Sequence, residues 1–192
     1  MVEGYDGQMP LRKLSSIALI LGLVAAFLWL DPKSYKLPSD SMRPGLAPGD
    51  RVLTMNLPVD RGDVVIVHPN EVVGDPNDGN TRVSKLSFVR RVVGLPGESI
   101  GVRAGHFFVC KPRALAIDHD PLKTPGCRTP SEPYASGEMK DFLADVPNGA
   151  YFVLGDNRER SVDSRQFGPV KASQITHVGV LTYWPLSRLA IP

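Results

Sequence analysis

The sequence predicts a mostly β domain preceded by one N-terminal membrane-spanning helix. The chain opens with an uncharged apolar run, and 18 Gly and 18 Pro among its 192 residues leave little room for long helices elsewhere. Short β-branched runs between turn signals follow from Leu37 onward. The 22 basic residues nearly balance the 20 acidic ones, so the net charge of +2 gives no reason to expect a nucleic-acid partner.

The apolar run at 14–30 is predicted to be a transmembrane signal-anchor helix after a short tail at 1–13. Its 17 positions carry no charge, and Arg12 and Lys13 precede it. At about 1.5 Å per residue it spans roughly 25 Å, near the lower limit for crossing a bilayer core, and Trp29 stands where an interfacial aromatic residue belongs. We therefore expect contact with membrane lipid.

This run has two other interpretations. A cleavable signal peptide would have small residues such as Ala25 and Ala26 near its end, but the apolar run continues through Leu30, which favours an anchor. A buried core helix that is apolar on all faces would need a larger domain around it. With either an anchor or a cleaved peptide, the remaining domain at 31–192 is exported.

Seven apolar runs of strand length are predicted to form that β-rich domain. They are RVLT at 51–54, VVIV at 64–67, FVRRVV at 88–93, SIGV and HFFV around the turn at Ala104-Gly105, YFVL at 151–154, and ITHVGVLTYW at 175–184. A Pro-rich insertion at about 111–147 is expected to hold loops and one short strand, and 73–84 a polar loop.

The two cysteines, Cys110 and Cys127, are 17 residues apart and lack the histidine spacing of a zinc site. Outside the cytoplasm a disulfide would close that loop. Two small buried thiols are the alternative, and the sequence leaves both open.

The candidate chemistry begins just after the apolar run, at Pro-Ser-Asp-Ser-Met-Arg-Pro over 38–44. A serine hydroxyl needs a neighbouring base to become a nucleophile. Taken alone, Ser39 and Ser41 would therefore be turn residues.

Three further segments change that interpretation. They are Arg-Gly-Asp-Val-Val at 61–65, Phe-Val-Arg-Arg-Val-Val-Gly-Leu-Pro-Gly at 88–97, and Tyr-Phe-Val-Leu-Gly-Asp-Asn-Arg at 151–158, which continues to Ser161, Asp163-Ser164-Arg165 and Gly168. In this order, and over most of the chain from about Leu14 to Val170, the motifs resemble those of the type I signal peptidases.

The resemblance implies a β-barrel-like serine protease, anchored in the cell membrane with its catalytic domain on the extracytoplasmic side. Its partners would be exported preproteins, whose signal peptides it would cleave after small residues without a cofactor. The second serine of the motif, Ser41, would be the nucleophile. Ser39 would support the oxyanion, together with the backbone N–H of Ser41, because charge develops on that oxygen in the transition state.

The sequence departs from the family at the general base, where Arg90 occupies the position of the lysine. A desolvated lysine can become neutral and accept the serine proton, whereas a guanidinium with a pKa above about 12 stays protonated. Lys85 is a poor replacement, since it lies five residues away on the opposite face of a regular strand, roughly 16 Å along it. His68 or His106 would serve only if the fold brought one to Ser41.

Four residues of the last motif are predicted to support the site. The resemblance places Ser161 where the family's lysine-orienting serine lies, and Asp163 and Arg165 where a buried charged pair lies. Charge bookkeeping adds that Asp156 would neutralise Arg90.

Two functions remain open at this point. One is an active signal peptidase I-like endopeptidase, or a conjugation-system peptidase of the same superfamily. The other is a non-catalytic homologue that binds peptides or assists assembly, because Arg90 replaces the base.

Overall fold

A computed structural model describes residues 11–68, 87–103, 106–111, 124–131 and 139–192, with side chains from residue 15 onward. The chain separates into two compact units, which divide between Pro32 and Lys33. The first contains helix α1, Leu11–Trp29. Within the described ranges, no helix has both the length and the hydropathy to cross a membrane. The membrane span at 14–30 therefore stays a prediction.

The second unit confirms the mostly β prediction. Its strands are β1 (Lys33–Lys36), β2 (Arg51–Met55), β3 (Val64–Val67), β4 (Phe88–Gly94), β5 (Ser99–Arg103), β6 (His106–Cys110), β7 (Cys127–Arg128), β8 (Phe142–Asp145), β9 (Ala150–Leu154), β10 (Val170–Lys171) and β11 (Ile175–Trp184). One short helix, α2 (Ser164–Phe167), follows β9. All seven predicted runs form strands.

The strands build two antiparallel sheets. Seven strands form a curled half-barrel in the order β1-β2-β11-β3-β4-β9-β10, and the other four form a small sheet in the order β7-β6-β5-β8. Strand β4 lies near the middle of the large sheet, where Arg90 pairs with Val65 of β3 and Arg91 pairs with Leu154 of β9. The two arginines are thus held in a central strand, with neighbours on both sides.

Successive side chains of β4 enter different parts of the core. Val92 packs in a cluster on the large sheet with Val65 and Val153. Val93 packs with Ile100 and other residues of the small sheet in a second cluster. Alternation along a strand sends neighbouring side chains to opposite faces, so β4 is fixed by apolar packing on both faces.

The small sheet contains the disulfide. Cys110 at the end of β6 is bonded to Cys127 of β7, and the two residues are register partners in the sheet. This decides between the two interpretations of the cysteines. The predicted insertion holds two described strands, β7 and β8, where one was expected, because each pairs with a strand outside the insertion. Lys85, the loop at 73–84, the turn at 104–105 and the stretches 112–123 and 132–138 lie outside the described residues.

Candidate active site

Ser41 is positioned by a short 3₁₀ turn, Asp40–Met42, that follows the extended Ser39. The next residue, Met42, is buried and packs with Leu37 and Leu46 in a third core cluster. Ser41 itself is only 7% exposed. The buried side chain of Met42 therefore fixes the position of Ser41, whose hydroxyl would otherwise move with the loop.

Three of the predicted site residues meet at this hydroxyl. The Arg90 Nη1 donates a hydrogen bond to Ser41 Oγ at 2.9 Å, and the hydroxyls of Ser39 and Ser41 lie 3.1 Å apart. Strand β4 and the 3₁₀ turn are far apart in sequence, so only the folded sheet brings them together. Arg90 is thus in contact with Ser41, at the position expected for a base.

The surroundings of Arg90 are those of a buried cation. Its Nε and Nη2 donate to the carbonyl oxygen of Val162 at 2.9 and 2.6 Å, and Nη1 also donates to the carbonyl oxygen of Val89 at 2.5 Å. Its guanidinium carbon lies 5.1 Å from the centre of the Phe88 ring, a cation–π distance.

Burial lowers the pKa of Arg90 to about 10, although the negative charge of Asp163 opposes this shift. At neutral pH Arg90 is still protonated. In the resting site, therefore, Arg90 donates and the Ser41 oxygen accepts.

Asp156 was predicted to neutralise Arg90, but it makes no contact with Arg90, and its charge raises the pKa of Arg90 only from a distance. Both oxygens of its fully buried carboxylate accept hydrogen bonds from Arg91, each at 2.8 Å. Arg90 and Arg91 are adjacent on a strand, so their side chains leave opposite faces, and the one facing Asp156 is Arg91. Sequence reasoning missed Arg91, although its position beside Arg90 within a predicted strand indicated that it points away from Ser41.

Asp163 and Arg165 form the expected ion pair, with two contacts of 2.8 Å. Asp163 has two further tasks: its carboxylate accepts from the backbone N–H of Gly155 at 3.0 Å and caps helix α2. The pair therefore fixes the chain on both sides of the segment that carries Val162, the carbonyl partner of Arg90.

Ser161 is buried next to the site but makes no bond to Arg90. Within the part of the chain that the structure describes, its hydroxyl has no hydrogen-bond partner. It presses against Gly155, where an added Cβ would lie 2.1 Å from Ser161 Oγ and 2.6 Å from the carbonyl oxygen of Ser41. Gly155 is a second residue that sequence reasoning missed, and only the close approach of three chain segments gives it a role.

A cleft of about 320 Å³ opens beside the serines. Its walls are mostly apolar, with two arginines among them. The lining residues include Leu37, Ser39, Ser41, Met42, Phe88, Val89, Arg90, Arg160 and Val162. Such a cleft suits an extended apolar peptide.

The replacement bases are not brought to Ser41 by any hydrogen bond of the described residues. His68 bonds to Ser87 Oγ through Nδ1 at 3.0 Å and to Thr176 Oγ1 through Nε2 at 3.3 Å. His106 lies on β6, in the small sheet. No group of three or more metal-ligating side chains occurs in the described ranges.

Comparisons of the sequence with a family model and with known relatives indicate one family. The family described as "Signal peptidase, peptidase S26" matches residues 11–184. Signal peptidase I of Leptolyngbya laminosa is 33% identical over 158 residues, which are 80% of this chain and 69% of that protein. Signal peptidase I of Bacillus caldolyticus is 31% identical over 170 residues, 82% of each chain. A crystal structure of a signal peptidase I from Enterococcus faecalis V583 is 27% identical and covers 64% of this chain and 97% of that one, with a TM-score of 0.39.

Proposed function

The chain belongs to the type I signal peptidase family, peptidase S26, and on that premise we propose that it is a serine endopeptidase that removes signal peptides from exported preproteins. The observation that carries the proposal is the meeting of Ser39, Ser41 and Arg90 at one hydroxyl. Acyl transfer requires a nucleophile, a base beside it and a donor that stabilises the oxyanion. In the proposed site, Ser41 is the nucleophile, Arg90 occupies the place of the base, and Ser39 is the donor.

In the proposed reaction, Ser41 Oγ attacks the scissile carbonyl carbon of a peptide bound along the cleft. The carbonyl oxygen becomes an oxyanion, which the Ser39 hydroxyl and the backbone N–H of Ser41 stabilise. The bond from carbon to the leaving nitrogen then breaks, and the nitrogen takes up the proton that Ser41 lost. Water hydrolyses the resulting ester, which frees Ser41 and gives the released signal peptide a terminal carboxylate.

Arg90 is the weak point of this reaction, because it must give up a proton before it can take one from Ser41. With a pKa of about 10, only about one molecule in a thousand holds a neutral Arg90 at pH 7. We therefore expect slow turnover at neutral pH, limited by the small fraction of molecules in which Arg90 is neutral.

The buried positive charge of Arg90 also favours a second candidate function. A homologue that keeps the groove without the base would bind peptides or assist assembly of exported proteins without cutting them. A conjugation-type peptidase would use the same groups as a signal peptidase, and only its substrate would distinguish it.

The proposed location is the cell membrane, with the β unit on the extracytoplasmic side. Helix α1 supports this, since its large apolar side chains are exposed over most of its length; they include Leu19, Ile20, Leu21, Leu23, Leu28 and Trp29. The disulfide supports the same side, because such bonds persist in oxidising compartments.

The test is cleavage of a preprotein in detergent at pH 7 by the chain, by Ser41→Ala and by Arg90→Lys. We expect slow cleavage by the chain, none by Ser41→Ala, and a gain of about 10²-fold in Arg90→Lys, because a buried lysine is far more often neutral. Arg128→Lys is the control, because Arg128 is exposed on β7. We expect it to leave the cleavage rate unchanged. If the folded chain is as inert as Ser41→Ala, the protease proposal is wrong, and cleavage that appears only in Arg90→Lys would favour the binding function.

A further inference from the structure

The charge of Arg90 is buried without a carboxylate in contact. Arg90 is only 4% exposed. Its guanidinium donates four hydrogen bonds, two to the carbonyl oxygen of Val162, one to that of Val89 and one to the Ser41 hydroxyl. A guanidinium has five N–H donors. One Nη2 hydrogen is therefore left without a partner among the described residues.

The nearby carboxylates are already committed to other arginines. The Nε and Nη2 of Arg91 bind the two oxygens of Asp156. Arg165 forms an ion pair with Asp163. Buried cations are normally paired, since an isolated one is costly to desolvate. Around Arg90, three arginines face two aspartates; they are Arg90, Arg91 and Arg165 against Asp156 and Asp163.

The excess charge faces the cleft rather than closed protein. Arg90 and Ser41 both line it, and Arg160 adds a second cation to its wall. The rest of the wall is largely apolar, with Leu37 and Met42 among its residues. An occupant that matches this surface has an apolar body and one negative group near Ser41.

We propose that the cleft binds apolar peptides that end in a free α-carboxylate, with Arg90 as the ion-pair partner of that carboxylate. The oxygens would accept from Arg90 and from the hydroxyls of Ser39 and Ser41, in charge-assisted hydrogen bonds that are stronger than neutral ones. An α-carboxylate fits better than an acidic side chain, because hydrolysis at Ser41 leaves a carboxylate at this point. That last step rests on the proposed function, and it makes the released peptide a product that the site retains.

The test compares three peptides by titration calorimetry with the full chain in detergent at pH 7. The first is acetyl-Ala-Leu-Ala-Ala with a free C-terminal acid, and the second is the same peptide with a C-terminal amide. The third is the amide in which Asp replaces Leu. We expect the acid to bind about tenfold or more tightly than the amide, which corresponds to one charge-assisted contact. Arg90→Met should remove this preference, and Arg128→Met, at the exposed position of β7, should keep it.

Equal affinity for acid and amide, or no binding of either, would overturn the inference. Equal affinity for the acid and the Asp amide would show a general carboxylate site and overturn the α-carboxylate. If Arg90→Met fails to fold, as judged by circular dichroism, the acid-against-amide comparison in the unmodified chain still decides. Preprotein cleavage is measured in parallel: acid preference without cleavage defeats the protease proposal alone, and cleavage without acid preference defeats this inference alone.

Discussion

The Ser41 hydroxyl lies between a second hydroxyl and a guanidinium, and the protonation of that guanidinium decides what the serine can do. While Arg90 is charged it can only donate to Ser41 Oγ, which stabilises the oxygen as an acceptor and leaves its proton in place. A neutral Arg90 could accept that proton. The same contact is therefore inhibitory in one protonation state and productive in the other.

Activity should consequently rise with pH. Burial lowers the pKa of Arg90 to about 10, so the neutral fraction grows about tenfold per pH unit below that value and levels off above it. Initial rates of preprotein cleavage between pH 7 and pH 10 measure this, with circular dichroism at each pH to verify folding. A flat or falling profile between pH 7 and pH 9 would mean that Arg90 is not the base.

Gly155 should tolerate no side chain. In Gly155→Ala the new methyl group would clash with Ser161 Oγ and with the carbonyl oxygen of Ser41, and overpacking of this kind typically costs about 1–3 kcal/mol or more. We expect a lower midpoint of urea unfolding and a displaced Ser41. The double variant Gly155→Ala, Ser161→Gly should recover part of the loss, since it removes one of the two clashes. Full stability of the single variant would contradict the close packing.

The sequence motifs were sufficient to place Ser39, Ser41 and Arg90 in one site, but not to assign the carboxylates. The partner of Asp156 depends on which face of β4 looks toward the end of β9. That is a long-range pairing, and charge counting along the chain contains no information about it. Charge counting named only Arg90 as the partner of Asp156, whereas strand alternation turns Arg91 toward that carboxylate.

At the scale of elements, helix α2 depends on one side chain. Asp163 caps the helix, pairs with Arg165 and accepts from Gly155 N. Asp163→Ala removes all three interactions and should lower the free energy of unfolding by about 3 kcal/mol. Asp141→Ala, at an exposed position, should stay within about 0.5 kcal/mol of the parent. Urea unfolding measures both, and equal midpoints would contradict the role of Asp163.

The small sheet depends on its disulfide. The bond joins β6 to the two-residue strand β7 across a sequence separation of 17, and closing a loop of this size stabilises a fold by about 3 kcal/mol in the chain-entropy account. A reducing agent should therefore lower the melting temperature. The double variant Cys110→Ala, Cys127→Ala should melt at the lower temperature and ignore the reductant. If the reductant shifts that variant as well, the effect does not come from this bond.

The elements that the sequence did not predict are short or polar. Strand β1 has the sequence Lys-Ser-Tyr-Lys, and β7 and β10 have two residues each. No periodicity can be read from so few positions. They form because a longer neighbour offers unpaired backbone groups at its edge, as β2 does for β1. The seven predicted strands, from the four-residue β3 to the ten-residue β11, carry their own apolar pattern.

For the whole molecule, the proposed membrane anchor makes a prediction that its rival does not. A chain held by helix α1 should stay in the membrane fraction after an alkaline carbonate wash and should keep the residues that precede Ala25. A cleaved signal peptide would instead release the β unit with a new N-terminus shortly after Ala26. Immunoblotting of the fractions and N-terminal sequencing distinguish the two, and a soluble, shortened protein would exclude the anchor.

Strand β4 places two arginines side by side, and only one of them has a carboxylate partner. When distant relatives are aligned here, a shift of one residue would align Arg91 with the general base of the family. The arginine at that position would then be interpreted as the ion-pair partner of Asp156 rather than as the group that contacts Ser41. The bulge between Val92 and Gly94 in the pairing with β9 is the type of irregularity that invites such a shift. Alignments of this strand should therefore be anchored on contact with the serine rather than on the Leu-Pro-Gly that follows.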